Sequence, residues 1–124
     1  MTVIPSAAEL ADVRPLTRAF RALGDPTRLR IVALLTHGEL CVCHLEAALG
    51  ISQPNCSRHL AILKAAELVD SRRDGSWVYY RVSAPAHAAV QAVVAVLATT
   101  FAAERALRAD HARLRKRCGP SACP

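Results

Sequence analysis

Residues 39–60 read ELCVCHLEAALGISQPNCSRHL, and the parsing of this stretch decides the fold. From about Cys41 to Leu49, the apolar residues Leu45, Ala48 and Leu49 fall three and four apart, which makes one buried stripe on a short helix. Gly50 ends that helix, because glycine takes left-handed backbone without a steric penalty. Ser52 then offers an N-cap hydroxyl to a second helix, and Pro54 is tolerated in its first turn. The second helix runs to about Ala66, with Cys56, Leu60 and Leu63 on its inner side. Two helices joined by a tight turn containing glycine make a helix-turn-helix.

Downstream, Leu68–Arg73 and Trp77–Val82 alternate in polarity and are rich in Val and Tyr, with Asp74-Gly75 between them. That pattern predicts a β-hairpin. The fold class is therefore mainly α with a β-hairpin wing, a winged helix-turn-helix. Upstream, Asp25 caps and Pro26 opens a helix carrying Leu29, Ile31, Val32, Leu34 and Leu35 to about Thr36, where His37-Gly38 closes it. Before it, Leu10, Val13, Leu16, Phe20 and Leu23 have helical spacing over Glu9–Leu23 despite Pro15. Residues 1–8, with Pro5 and Ser6, read as a flexible N-terminus. After Ser83-Ala84-Pro85, a stripe of Val90, Val93, Val94, Leu97, Phe101, Leu107 and Leu114 predicts a helix over about residues 86–115. The stripe is long for a chain this size, which predicts a homodimer packed through its first and last helices. Residues 9–112 are then one winged domain, and residues 113–124 a flexible, basic tail containing cysteines.

The chain has 124 residues, enough for one small domain. A hydrophobic fraction of 52% with only 4% aromatics points to a helical core of Ala, Leu and Val. The net charge of +6 points to an anionic partner, nucleic acid first. No membrane partner is expected: the most apolar segment, Ala84–Ala103, is interrupted by His87 and Gln91. The N-terminus lacks the basic start and apolar run of a secretion signal. Five cysteines without such a signal predict a reducing, cytoplasmic location, where closely spaced cysteines bind metal or do redox work.

A helix that reads base edges needs short polar side chains near its N-terminus, and cations for phosphates. Ser52, Gln53, Asn55, Ser57, Arg58 and His59 fit the first need, and Lys64, farther along, suits a phosphate. In the wing, Arg72, Arg73 and Ser76 flank the tip, where they would reach a neighbouring groove or the backbone of double-stranded DNA.

Cys41 and Cys43 are the candidate ligand pair. On a regular helix, two residues apart means about 200° of rotation, so they share a ligand only if Cys41 stands outside the regular helix or the first turn unwinds. A helix start also favours thiolate, and soft thiophilic ions suit such a pair. Cys56 reads as a small core residue and His44 as a surface side chain. Cys118 and Cys123, in the tail, are candidates for completing a three-sulfur site. A thiol-disulfide enzyme is disfavoured by the missing Cys-x-x-Cys spacing. A structural zinc module is a further rival, separable by whether chelator unfolds the protein.

Taken together, Asp25-Pro26-Thr27-Arg28-Leu29-Arg30-Ile31, Glu39-Leu40-Cys41-Val42-Cys43, Ser52-Gln53-Pro54 with Ser57-Arg58-His59-Leu60, and Gly75-Ser76-Trp77-Val78-Tyr79-Tyr80-Arg81 resemble the ArsR–SmtB family of metal-sensing bacterial repressors. The resemblance covers about residues 16–83 and is greatest to the arsenic-responsive branch. It implies a homodimeric repressor, not an enzyme, that holds operator DNA and leaves it when As(III) or Sb(III) binds cysteine thiolates. The chain departs from that branch where Cys-Val-Cys-Asp-Leu-Cys is typical: His44 replaces the Asp, and Glu46 stands at the third Cys. The third thiolate is then expected from Cys118 or Cys123. Cadmium and lead sensors of the family add N-terminal cysteines, and residues 1–40 contain none. The zinc sensors' pattern is also missing, since Asp110 and His111 are adjacent and no later His-x-x-Glu is present. A repressor of the same fold that responds to zinc, cadmium, lead or thiol oxidation is the alternative.

Overall fold

The structure is a computed structural model that describes residues 3–84 and 88–118. Helix α1 (Ala7–Asp12) starts at Ser6, whose hydroxyl accepts from Glu9 N at 3.1 Å while the Glu9 carboxylate accepts from Ser6 N at 2.7 Å. Ser6 is thus half of a reciprocal cap rather than a breaker, and the order begins inside the segment predicted to be flexible. A second departure occurs at Val13. The single helix expected over Glu9–Leu23 is two, because Pro15 inside a continuous helix would clash with the carbonyl four residues back. The chain restarts instead, with Pro15 in the first turn of α2 (Arg14–Leu23).

Helix α3 (Pro26–Leu35) begins where predicted. Asp25 accepts from Thr27 N at 2.8 Å and from Arg28 N at 3.1 Å, which holds its carboxyl below the usual range. Five consecutive residues, Ile31 to Leu35, are buried, so α3 is the central helix on which the others pack. Around it lie α4 (Val42–Leu49) and α5 (Gln53–Ala65), the helix-turn-helix. Gly50, at φ 67°, makes the left-handed end of α4. The wing is β2 (Val69–Asp74) and β3 (Trp77–Val82), turning through Gly75 at φ 62°. A third strand, β1 (Leu40–Cys41), was not predicted. It pairs antiparallel with β3, giving the order β1-β3-β2 with Leu40 opposite Tyr80 and Cys41 opposite Tyr79.

The C-terminal stripe is also not one helix. Helix α6 (Ala88–Ala98) gives way to a 3-10 turn at Thr100–Ala103 and then to α7 (Arg105–Cys118), with a bend of 89°. Helix α6 ends at Thr99, whose hydroxyl donates to Ala95 O at 3.0 Å, and the sharp bend falls at Glu104, where extended backbone separates the 3-10 turn from α7. What turns the chain back is Asp110, only 1% exposed. Arg30 of α3 donates to both its oxygens at 2.8 Å, and Arg113 of α7 donates to one of them. The same two guanidiniums reach the last carbonyls of α4: Arg113 Nε to Ala48 O at 2.8 Å and Arg30 Nη2 to Leu49 O at 3.5 Å. Helix C-termini leave such carbonyls unpaired, and cations there are favourable. Residues 113–118, predicted as tail, are therefore helix and carry core contacts through Leu114.

The core is the contact of Ile31, Leu34, Leu45, Leu60, Leu63 and Leu68. Outside it, Leu10, Val13, Phe20 and Phe101 are 45–57% exposed. No single helix among the described residues is long and apolar enough to cross a membrane.

Candidate nucleic-acid interface and thiol site

The start of α5 presents a polar face. Ser52 accepts from Asn55 N at 3.4 Å and opens the helix. Beyond it, Gln53 donates to Ser57 Oγ at 2.8 Å and Arg58 donates to Asn55 Oδ1. Gln53 and Arg58 are exposed, Asn55 and Ser57 half-buried. One turn-and-a-half of helix thus offers amide, hydroxyl and guanidinium groups, the set that pairs with base edges and phosphates. Lys64 is exposed farther along and donates to Ser71 Oγ of β2 at 2.7 Å, while Arg73 and Ser76 are exposed on the wing.

Two members of the expected DNA-facing set point elsewhere. His59 is turned inward, 9% exposed, with Nδ1 3.4 Å from Arg28 Nη1 and 4.0 Å from Asp25 Oδ1. It ties α5 to the cap of α3. Arg72 is engaged as well. Its guanidinium grips the Glu39 carboxylate through Nε at 2.9 and 3.0 Å and Nη2 at 2.6 Å, and lies 4.5 Å from the centre of the Tyr79 ring. That pairing holds the Glu39 carboxyl below its usual range. His44 also departs from the expected surface position, since its ring nitrogens are enclosed and burial lowers its pKa.

The thiols sit at the other end of the helix-turn-helix. Cys41 is the N-cap of α4 and the last residue of β1, with extended backbone at φ −69°, ψ 149°, and is 2% exposed. Standing outside the helix, it escapes the 200° separation that regular helical geometry would impose. Cys43, in the first turn, brings its sulfur to 3.1 Å from that of Cys41. Cys43 is itself disulfide-bonded. Cys41 is not its partner, and neither is Cys56, since both are free thiols. Cys56 is fully buried, and desolvation, with the charge of Glu46 adding, pushes its thiol up to about 12. It is packing, not a ligand. Among the described residues, no three His, Cys, Asp or Glu side chains gather around one point. With Cys43 reduced, Cys41 and Cys43 would supply two soft donors, and a thiophilic ion of coordination three needs one more. Cys118 is the last residue of α7, and Cys123 lies outside the described residues.

The thiols and the polar residues at the start of α5 share a space. A cleft of about 270 Å³ has Cys41 and Cys43 on one wall, Gln53 and Ser57 of α5 on another, and Ser76 and Trp77 of the wing on a third. Sequence reasoning placed these groups on separate elements and did not bring them together. It also missed Glu39 as the partner of Arg72, and Asp110 as the latch of α7. No local pattern reports such pairs, which are 33 and 80 residues apart in the chain.

Comparison with known proteins was made for sequence and for fold. Residues 25–71 match the family described as bacterial regulatory protein, arsR family. The arsenical resistance operon repressor of Escherichia coli K12 is 55% identical over 65 residues. That alignment takes in 52% of this chain and 56% of the repressor, so the chain spans just over half the length of this relative. A probable mercury resistance operon repressor from Streptomyces lividans is 37% identical over 107 residues, 85% of this chain and 82% of that protein. Among solved structures, the homodimeric winged helix-turn-helix DNA-binding domain Mb0332 of Mycobacterium bovis, a possible ArsR-family transcriptional regulator, superimposes with a TM-score of 0.65. It is 29% identical, over 81% of this chain and 87% of that one.

Proposed function

Since the chain belongs to the arsR family of bacterial regulatory proteins, whose members are regulators of transcription rather than enzymes, we propose that it is a metalloid-responsive repressor. As a cytoplasmic homodimer it holds operator DNA, and it lets go when trivalent arsenic or antimony binds Cys41, Cys43 and a third thiolate. The observation that carries this reading is the cleft in which two sulfurs 3.1 Å apart face Gln53 and Ser57 of the DNA-reading helix. A soft ion favours thiolates over the harder Glu46 carboxylate on the same cleft. Metalloid binding requires the reduced protein, because a sulfur in a disulfide is not a thiolate ligand.

The third ligand is assigned to Cys118. Arg30 links Asp110 to Leu49, and Arg113 meets Ala48, so numbering rises along α7 as it falls along α4. Five residues farther on each helix, about 7.5 Å by helical rise, lie residue 118 and residue 43. Cys123 is the other candidate. The dimer is supported by the exposed Leu10, Val13, Phe20 and Phe101, apolar groups a second copy would cover, and by the homodimeric state of the M. bovis relative. In such a dimer Ser52, Gln53, Asn55, Ser57 and Arg58 read bases, and Lys64, Arg73 and Ser76 contact the backbone.

The test is fluorescence anisotropy of the reduced protein on a duplex from the promoter of its own gene, titrated with arsenite and then with zinc, cadmium and lead at fixed salt. About one arsenite per subunit should release the DNA. Cys41→Ser and Cys43→Ser should bind DNA normally and ignore arsenite, and full release by either variant sinks the site. A second reading, a repressor that responds to oxidation, is favoured by one observation, the disulfide at Cys43. Release by substoichiometric peroxide with no metalloid present would select it.

A further inference from the structure

We propose that the Glu39–Arg72 ion pair is the coupling element that ties the thiol-bearing strand to the wing, so that a change at Cys41 moves the wing tip. The proposal rests on the reading of Cys41 and Cys43 as the sensing site. Cys41, Tyr79 and Arg72 occupy one row across the sheet: Tyr79 is the register partner of Cys41 on one side and of Arg72 on the other. Arg72 closes this row. Its forked guanidinium grips both oxygens of Glu39, two residues before Cys41, while stacking over the Tyr79 ring. The strand is only two residues long, so backbone pairing alone holds it weakly. The side-chain clamp makes strand and hairpin one body.

The leverage lies in the residues just after Arg72. Arg73, the Gly75 turn and Ser76 form the wing tip, and Ser76 and Trp77 line the cleft with the two thiols. A ligand that draws Cys41 out of its N-cap position displaces β1. With the clamp intact, the hairpin moves with it. With the clamp cut, the strand moves and the wing stays. The pair is half-exposed, with Arg72 53% and Glu39 30% accessible, so its part in overall stability is small and its loss leaves the fold in place.

The experiment uses the reduced full chain, with Glu39→Gln and the swapped double variant Glu39→Arg/Arg72→Glu. Two quantities are read for each protein. One is the ratio of DNA affinities without and with saturating arsenite, alongside arsenite stoichiometry measured by thiol protection. The other needs no inducer: the rate at which iodoacetamide alkylates Cys41 and Cys43 with and without the duplex, because coupling between two sites is reciprocal. Glu39→Gln should bind apo DNA and arsenite within about twofold of the parent while the affinity ratio shrinks at least about fivefold, a fraction of the range usual for coupled sites. DNA protection of the thiols should shrink in parallel, and the swap should restore both. If Glu39→Gln keeps both the full ratio and the full protection, the clamp is overturned and the sensing site stands. If arsenite fails to release the parent protein, the inducer assignment falls. The clamp is then decided by alkylation: loss of DNA protection in Glu39→Gln supports it, and retained protection overturns it.

Discussion

Cys41 and Cys56 are both buried thiols, yet they differ in what surrounds them. Cys56 sits in the apolar contact of α4 and α5 with its thiol pushed up to about 12, so it stays protonated at any working pH. Cys41 opens onto a cleft and touches a second sulfur. Cys56→Ala should therefore cost about 1 kcal/mol in urea denaturation, the small-cavity end of core truncation, and leave arsenite-driven release unchanged. A loss of response would mean that Cys56 is a ligand after all. His59 teaches the complementary lesson. It belongs to a polar run, Ser57-Arg58-His59, yet it lies three residues after Cys56 and four before Leu63, on the arc that faces the core. Helical spacing held that signal, and residue type concealed it.

At the scale of the element, α7 is held on α3 and α4 by charge. Asp110→Asn removes the anion between Arg30 and Arg113 and should lower stability by roughly 2 kcal/mol, below the figure for a fully buried pair because both arginines are partly solvated. It should also speed hydrogen exchange in α7 before α5. Equal protection in both helices would mean that apolar contacts alone dock α7. A second contact, His37 stacked on His111 with ring centres 3.7 Å apart, makes the docking sensitive to pH. Burial first, and the facing His111 second, lower the His37 pKa below the usual 6.5. Arg30, Arg108 and Arg115 line the same cleft and oppose a further positive charge. The unfolded chain then binds more protons than the folded one just below pH 6.5, so stability is full above that value and falls as pH drops through the lowered one. Urea midpoints should decline as pH falls below about 6.5, and His37→Gln should lessen the decline, leaving the share of the enclosed His44, whose pKa burial also lowers. The depressed carboxyls of Asp25 and Glu39 contribute in the same sense, but only at more acid pH.

For the whole molecule, one chain leaves Leu10, Val13 and Phe20 of the N-terminal helices in solvent together with Phe101 near the C-terminal bend. Their exposure is what a second copy would remove. Phe20→Glu should shift sedimentation to the monomer and weaken operator binding at least about tenfold, because two half-sites read together bind far more tightly than one. A Phe20→Glu protein that remains dimeric would place the interface elsewhere.

The winged helix was legible because its signals are local. Asp25-Pro26, Gly50 and Ser52 set helix ends through backbone conformation and capping, and Gly75 sets the hairpin turn, all within a few residues of the groups they act on. The chain itself also carries the two clustered thiols and the polar start of α5. What only tertiary structure decided are partnerships across long separations: β1 against β3, Arg72 with Glu39, Arg30 with Asp110, and the bend that sends α7 back over α4. Charged side chains read in sequence as solvent-facing, because isolated charges are costly to bury. Asp110 is buried nonetheless, since the Arg30 guanidinium, 80 residues away in the chain, joins that of Arg113, three residues along the same helix, to neutralise it.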